Sequence, residues 1–251
     1  MEACVFLSST KDAVYSNNHH QKLRGVLWSA LERVNSKYVK QHDEFVSGFS
    51  FSTVYPFGDM RDGDWKYIMI SGVQESLIAD IVAGLIEMGT IEVGEMRFTV
   101  DDYAVEYPQI GSVGEVGYFE PQTGIMLRTE YIDDTTPSGE HYWSEGDDFS
   151  VFKRGLEYSI LSRHSHVRGE IPTFEHDIFD SYEHIKEYAI PQRIGDTSRP
   201  VILQKVRLGY TVQSQQHREV LQTALDLGVG HGTARGFGNV EKNVGEIPSG
   251  E

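Results

Sequence analysis

The chain has a single cysteine and no long apolar run, and each shortage excludes a class of protein. Because Cys4 is the sole cysteine among 251 residues, a disulfide within the chain and a cysteine-based zinc site are both excluded. No segment approaches the roughly 18 consecutive apolar residues that a membrane-spanning helix needs. The first residues also lack the basic start and apolar stretch of a signal peptide, so we expect a cytoplasmic protein without membrane contact.

Basic residues are scarce as well, since 22 Lys and Arg stand against 38 Asp and Glu, a formal net charge of −16. One interpretation is an acidic protein that avoids nucleic acid. The other is a halophilic protein, in which molar salt screens the repulsion between carboxylates. We favour the second, because the carboxylates are spread along the chain and Arg outnumbers Lys. The net charge by itself therefore says little about partners.

Three segments are nevertheless basic, and on an acidic protein such segments are candidate RNA-binding surfaces. The alternative for each is an ordinary solvated helix face. The basic residues of segments 21–40, 151–168 and 191–218 are Lys22, Arg24, Arg33, Lys37 and Lys40, then Lys153, Arg154, Arg163 and Arg168, then Arg193, Arg199, Lys205, Arg207 and Arg218.

Hydrophobic periodicity predicts two copies of one arrangement of strands and helices. In the first half it predicts strands at 2–8, 45–54, 65–71 and 91–105, with helices at 18–37 and 74–88. In the second half it predicts strands at 123–128, 178–190 and 201–212, with helices at 149–165 and 215–227. Asn17 or Asn18 is expected to cap the first helix, and Ser214 the last.

This order predicts an α+β protein with tandem ferredoxin-like (RRM-like) folds and a C-terminal glycine-rich loop. We place an N-terminal domain at residues 1–110 and a C-terminal domain, which carries the loop, at residues 111–251.

The loop is the most specific signal in the sequence, with five glycines in the eleven residues from Gly228 to Gly238. It follows a predicted helix and precedes a short strand, whereas dinucleotide and Walker loops run from strand to glycines to helix. Glycines let the backbone approach a ligand closely, and consecutive amides can form a concave anion site. A flexible turn is the simpler alternative. We expect a site for phosphate groups.

Residues 228–240, which end in Gly-Phe-Gly-Asn-Val, resemble the glycine-rich loop of the repeat-associated mysterious protein (RAMP) superfamily, in particular its CRISPR repeat-RNA-processing endoribonucleases. Residues 19–28 resemble the first helix of that family. Residues 41–43 and 49–52 resemble the segment that places a catalytic histidine before an aromatic-serine strand, and 54–56 continues the match in the style of haloarchaeal members. The resemblance spans both halves and implies tandem ferredoxin-like folds.

The resemblance implies cleavage by the adjacent 2′-hydroxyl, giving 2′,3′-cyclic phosphate and 5′-hydroxyl ends without a metal or cofactor. His42 is the predicted catalytic imidazole, because its ordinary pKa near 6.5 suits proton transfer. Tyr38 and Tyr15 are expected to orient it or the substrate, and the pair His19 and His20 is the fallback. Some relatives add a lysine after the histidine. Residues 43–51 contain none, which puts a complete triad in doubt.

The expected partner is CRISPR repeat RNA, with other effector-complex subunits and a monomeric or homodimeric state left open. The predicted RNA-binding residues are Gly230, His231, Gly232, Arg235, Gly236, Gly238, Lys22, Arg24, Lys153 and Arg154. Two alternatives stay open: a non-catalytic RAMP subunit that only binds processed CRISPR RNA, and an unrelated ferredoxin-like metabolic protein. The spacing of the histidines matches no standard metal-ligand pattern, so no metal site is predicted.

Overall fold

The computed structural model describes residues 1–15, 19–41, 48–129, 141–173, 176–194 and 197–248. The chain divides into two compact units. The first contains Met1–Pro108 and Ala234–Gly236, and the second contains Gln109–Thr233 and Phe237–Glu251. Within the described residues no helix is both long and apolar enough to cross a membrane.

The first unit is an antiparallel sheet with two helices packed on one face. Its elements are β1 (Glu2–Ser9), α1 (His20–Arg33), a 3-10 helix (Lys37–Gln41), β2 (Phe49–Phe51), β3 (Trp65–Gly72), α2 (Glu75–Met88), β4 (Thr90–Val93) and β5 (Met96–Glu106). The sheet order is β2-β3-β1-β5-β4. This is the ferredoxin-like arrangement, with β5 as the fourth strand and β4 added at its edge.

Strict alternation along β1 explains why this strand lies at the centre of the sheet. Ala3, Val5 and Leu7 are buried, and the residues between them are partly accessible. Because successive strand residues face opposite sides, the odd-numbered ones join the core beneath α1 and α2. Leu27 and Ile81, from the two helices, complete that core.

Two expectations for this unit need correction. The single strand predicted at 91–105 is a hairpin of β4 and β5, because Gly94 adopts a φ of +69° and turns the chain. Helix α1 begins at His20, and its N-cap residue His19 makes no side-chain capping bond. The proposed caps Asn17 and Asn18 lie outside the described residues.

The second unit has the same topology. Its elements are β6 (Val116–Pro121), α3 (Phe149–Arg168), β7 (Ser181–Ile194), β8 (Thr197–Thr211), α4 (Gln215–Leu227) and β9 (Val240–Val244). A further 3-10 helix (Thr233–Arg235) begins at the last residue of this unit before the Ala234–Gly236 stretch, which belongs to the first unit. The sheet order β7-β8-β6-β9 is that of a ferredoxin-like fold. The predicted α+β tandem fold is confirmed. The expected Ser214 cap is also present, since its hydroxyl accepts a bond from the His217 amide at 3.1 Å.

The first strand of this unit was placed wrongly by sequence. The strand is β6, whereas Ile125 and Met126 make only single bridges, to Gln204 and His231. Ile125 and Met126 are apolar because they are buried, not because they form a ladder. A short buried run does not by itself distinguish a strand from irregular backbone.

Candidate active site

The glycine-rich segment, residues 228–240, starts where α4 ends and is held by the protein's own acceptors. The Val229 amide donates to the Gly238 carbonyl at 2.8 Å, and the Gly238 amide donates to Gly124 at 2.9 Å. The His231 amide donates to Met126 at 2.7 Å. These three amides are committed within the second unit and are not available to an external anion.

Gly238 shows why this hairpin-like pairing requires glycine. Its φ is +64°, and a Cβ at this position would overlap the Val229 carbonyl oxygen. Any other residue would suffer both the unfavourable dihedral and the clash. Close backbone packing therefore requires the last glycine of the Gly-Phe-Gly sequence that resembles the family loop.

Arg163 of α3 holds the start of the same segment. Its Nη1 donates to the Gly230 carbonyl at 2.7 Å, and its Nη2 donates to the Gly228 carbonyl at 3.0 Å and to the Ser159 hydroxyl at 3.4 Å. Burial lowers the pKa of Arg163 to about 10, so the guanidinium stays charged. No carboxylate in the described part of the chain pairs with it. The partners of the charged guanidinium in the glycine-rich segment are therefore backbone carbonyls.

The middle of the segment belongs to the first unit, which includes Ala234–Gly236. Gly236 has a φ of +85°, and a Cβ there would lie 2.6 Å from the Phe51 ring and 3.1 Å from Nδ1 of His20. Only a residue without a side chain can pass this close to the start of α1 and to β2. The predicted glycine segment and the fallback histidine pair therefore meet in one place.

The histidine pair is stacked and tied to a hydroxyl network. The rings of His19 and His20 lie 4.6 Å apart at 23°, and Tyr15 packs edge-on against His19 at 5.1 Å. The Tyr15 hydroxyl donates to the Val54 carbonyl at 2.8 Å and lies 2.7 Å from the Thr53 hydroxyl, which also bonds to Nε2 of His19.

The proton order in this network follows from counting donors. Tyr15 has one hydroxyl proton and directs it to Val54, so the Thr53 hydroxyl donates to Tyr15. In this order Thr53 accepts from Nε2 of His19, which corresponds to the tautomer protonated on Nε2. His19 is also buried, so it acts as a fixed partner of Thr53 in this arrangement.

His20 is held in the neutral state. Burial, and to a smaller extent the neighbouring His19, lowers the pKa of His20 to about 3. Between pH 5 and 8 the ring is uncharged and is a weak base. A phosphate anion placed beside the ring would raise this pKa, because an adjacent negative charge favours the imidazolium.

The three predicted catalytic residues fall in different places. His42 lies outside the described residues. Tyr15 contacts the histidine pair as described above. Tyr38 is buried in the first 3-10 helix, and its hydroxyl lies 2.6 Å from the Ser76 hydroxyl of α2.

The predicted RNA-binding side chains differ in accessibility. Lys22 is exposed on α1, and Arg24 of the same helix is partly buried. In the second unit, Lys153 forms an ion pair with Asp177, and Arg154 is exposed. His231 is partly buried, and its Nδ1 accepts a bond from a backbone amide at 2.9 Å, so its ring helps to fix the segment. Arg235 is partly buried.

Two basic residues of the segment 191–218, Lys205 and Arg207, are paired with carboxylates across the sheet. Arg207 contacts Glu120 at 2.5 Å and Glu183 at 2.8 Å, and Lys205 lies 3.8 Å from Glu120. These carboxylates come from β6 and β7, so they do not appear in the segment itself. Arg218 donates to the Ile110 carbonyl at 2.8 Å. The side chains of residues 192–199 are outside the described set.

No family model matches the sequence. A relative from Haloferax mediterranei, the CRISPR-associated endoribonuclease Cas6, is 33% identical over 250 residues, which cover 95% of this chain and 92% of that protein. The chain belongs to the Cas6 family of CRISPR-associated endoribonucleases. The predicted family and enzyme class are thereby confirmed, and the unrelated metabolic protein is excluded. The haloarchaeal relative also agrees with the halophilic interpretation of the acidic composition.

Solved structures with the same fold span nearly the whole chain. A RAMP protein that binds different RNA substrates gives a TM-score of 0.75 at 20% identity, covering 98% of this chain and 100% of its own. A Cas6-related protein from Pyrococcus furiosus gives a TM-score of 0.74 at 20% identity, covering 97% of this chain and 98% of its own. A CRISPR-associated Cas6 protein gives a TM-score of 0.71 at 20% identity, covering 96% of this chain and 98% of its own. The tandem fold of the Cas6 family thus extends over both units.

Sequence reasoning missed two residues that shape this site. Thr53 links Tyr15 to His19, yet nothing around it in the sequence marks it as more than a strand residue. Arg163 was grouped with a surface stripe, although it is buried. Its position in line with the buried Phe152, Leu156 and Ile160 of α3 is the signal that could have revealed it.

Proposed function

We propose that this Cas6 family member cleaves CRISPR repeat RNA without a metal. The 2′-hydroxyl attacks the adjacent phosphorus, the bond to the 5′-oxygen breaks, and the products carry a 2′,3′-cyclic phosphate and a 5′-hydroxyl. The observation that carries the proposal is the approach of Gly236 to His20 within one unit. It brings a segment suited to phosphate next to imidazoles.

The glycine-rich segment would hold the phosphodiester. The amides of Val229, His231 and Gly238 are already bonded within the second unit, and the stretch Ala234–Gly236 of the first unit would face the phosphate. The buried charge of Arg163 lies behind the carbonyls of Gly228 and Gly230. Its hydrogen bonds to them fix the backbone at the start of the segment.

His42 remains the proposed proton-transfer group. His20 is a weak base with its pKa near 3, and His19 is buried and bonded to Thr53. Neither is poised for proton transfer near neutral pH in this arrangement. We assign the pair a positioning role, in which its rings and Tyr15 shape the wall beside Gly236. Tyr38, bonded to Ser76, would support the chain that leads to residue 42.

The remaining RNA contacts are proposed for Lys22, Arg24 and Arg235, with Lys153 and Arg154 as a second group. Lys22 is exposed and can meet phosphate without rearrangement. Lys153 would first have to leave Asp177, so its contribution is the weaker one. We also propose that the protein acts in the cytoplasm, as a monomer or a homodimer. Other subunits of a CRISPR effector complex are its proposed protein partners.

Incubation with the host's repeat RNA in molar KCl tests the function. Cleavage should persist in excess EDTA and stop when the nucleotide before the cut carries a 2′-deoxy sugar, because the nucleophile is then absent. His42→Ala should abolish cleavage and retain RNA binding, while the His166→Ala control, an exposed histidine of α3, should cleave normally. Normal cutting of the 2′-deoxy substrate would indicate an activated water and reject the mechanism.

The alternative is a RAMP-type subunit that binds processed CRISPR RNA without cutting it. The neutral state of His20 and the burial of His19 are the observations that favour it. Tight binding of repeat RNA with no product, under conditions where the RNA is intact and the fold is verified, would decide for this alternative.

A further inference from the structure

An unbroken series of ring contacts crosses the first unit and ends at the histidine pair. We call it the aromatic strip, and its members in spatial order are Phe6, Trp65, Tyr67, Tyr55, Phe57 and Tyr15. Consecutive ring centroids lie 5.9, 5.2, 5.6, 4.7 and 5.7 Å apart, and the Tyr15 ring lies 5.1 Å from that of His19.

The register of the sheet places four rings of the strip on the face opposite the helices, and Phe57 and Tyr15 continue the row from loops. Phe6 pairs with Tyr67 across β1 and β3, and Trp65 lies two residues from Tyr67 on the same face. Tyr55 extends the row by a bridge to Tyr67. The residues that alternate with Trp65 and Tyr67 on β3, Lys66 and Ile68, are buried. The helix-free face of the sheet therefore carries a continuous row of aromatic rings.

The two largest exposures in the strip occur at Trp65 and Phe57, with 53% and 63% of their surface accessible. The other four rings are partly buried and support them. A contiguous exposed apolar surface of this kind is typical of a binding site. Trp28 and Trp143 are only 6% and 4% accessible, so Trp65 is the accessible tryptophan of the chain.

The charges beside the strip indicate what it binds. Asp101 accepts a bond from Ser8 at 2.5 Å on the same sheet, and Asp59 accepts one from the Tyr15 amide at 2.9 Å. These carboxylates disfavour phosphate, and the nearby Lys66 ammonium is buried and donates to the carbonyls of Pro56 and Gly58, on either side of Phe57. Stacking of a base on an aromatic ring needs no cation, and it persists at salt concentrations that abolish most of the affinity from counterion release.

We propose that the aromatic strip stacks unpaired nucleobases of the RNA substrate and leads the strand toward the histidine pair and Gly236. The proposal rests on the proposed function, since it takes the substrate to be RNA. It adds a second contact surface of different chemistry, which recognises bases where the glycine-rich segment recognises phosphate. The two ends of the strip, at Phe6 and Tyr15, define the path of the bound strand.

Tryptophan fluorescence of the full chain in molar KCl tests the strip. The probes are ten-nucleotide oligouridine and a ribose-phosphate strand of the same length that lacks bases. Oligouridine should quench the fluorescence, and the baseless strand should not. The Trp65→Ala change should raise the Kd for oligouridine roughly ten-fold, because one stacked base is lost. Trp65→Phe should retain most of the affinity and lose the quenching.

A matched control is Tyr103→Ala, since Tyr103 is 45% accessible on β5 of the same sheet and is not a member of the strip. It should bind oligouridine as the wild type does. Equal binding of the baseless strand, or an unchanged Kd in both Trp65→Ala and Phe57→Ala, would overturn the proposal and point to phosphate contacts or to a protein partner.

Cleavage of repeat RNA separates this proposal from the proposed function. If the strip binds bases of the substrate, Trp65→Ala raises KM and leaves kcat close to the wild-type value. If the wild-type protein binds oligouridine through Trp65 but cuts no repeat RNA, the base-stacking proposal is supported and the proposed nuclease mechanism is rejected. If the wild-type protein cuts repeat RNA and Trp65→Ala leaves both KM and the Kd unchanged, the base-stacking proposal is rejected and the nuclease mechanism is retained.

Discussion

The Arg163 guanidinium donates to the Gly230 carbonyl at 2.7 Å, although no carboxylate in the described residues balances its charge. It also reaches the Gly228 carbonyl at 3.0 Å. A buried charge usually has an ionic partner, because burial without one is costly. Here two glycine carbonyls take the place of an ionic partner. The conformation of the glycine-rich segment therefore depends on a side chain of helix α3.

Replacement of Arg163 should destabilise the second unit. Arg163→Met leaves two carbonyls of the segment without their donor, and we expect the free energy of unfolding to fall by about 2–4 kcal/mol. Arg163→Lys should be intermediate, since an ammonium lacks the planar fork that reaches both carbonyls. Urea unfolding in molar KCl measures the effect, and the exposed Arg168→Met of the same helix is the control. Equal stability of Arg163→Met and wild type would contradict the assignment.

Gly236→Ala should disturb the site more than an equally strained glycine elsewhere. Both Gly236 and Gly58 have positive φ, +85° and +114°, but only at Gly236 would the added Cβ meet a ring, that of Phe51 at 2.6 Å. The dihedral costs about 1–2 kcal/mol in each variant, and overpacking adds about 1–3 kcal/mol at Gly236 alone. Thermal unfolding and cleavage rates of the two variants should differ accordingly. Identical behaviour would mean that the close approach has no consequence.

Tyr15→Phe and Tyr38→Phe form a matched pair, because each removes a hydroxyl bonded to another hydroxyl. Each should lose about 1 kcal/mol of stability. Only Tyr15→Phe should also lower kcat, by about ten-fold, since it releases Thr53 and His19 and a misplaced catalytic group costs up to about a hundred-fold. Single-turnover cleavage assays separate the two. A larger loss of kcat in Tyr38→Phe would reverse the assignment and place Tyr38 nearer the chemistry.

The neutral state of His20 predicts a dependence of stability on pH. Its folded pKa, about 3, lies below the ordinary value of 6.5. Between these values the unfolded chain binds more protons, so stability is complete above pH 6.5 and falls as the pH drops toward 3. The slope from this group approaches about 1.4 kcal/mol per pH unit. His20→Phe, which retains a ring, should show a shallower decline between pH 4.5 and 6.5 in urea titrations. Parallel curves would show that His20 is not buried as a neutral ring.

Local pattern was sufficient for most secondary structure. Helix α2 and strand β3 each bury one face with strict periodicity, and both lie where the pattern predicted them. The hydrophobic pattern gave a wrong prediction where residues are buried without forming the continuous hydrogen bonds of a strand. Ile125 and Met126 are as apolar as a central strand, but only the tertiary structure shows that they make single bridges.

Charge was harder to interpret from sequence than periodicity. Arg207 belongs to a segment with one acidic residue, yet Glu120 and Glu183 pair with it from two other strands. Strand pairing brings together residues that are 24 and 87 positions apart. A count along the chain cannot include such partners, so it overstated the free positive charge.

The order of amino acids determined by itself the family, the tandem fold and the glycine-rich segment, because repeated periodicity and a rare glycine pattern are local properties. The tertiary structure decided which groups meet. It placed Gly236 against His20, buried Arg163 behind the same segment, and joined six aromatic rings from separate strands and loops into one row. These relationships depend on contacts between residues far apart in the chain, which only the packed chain brings within reach.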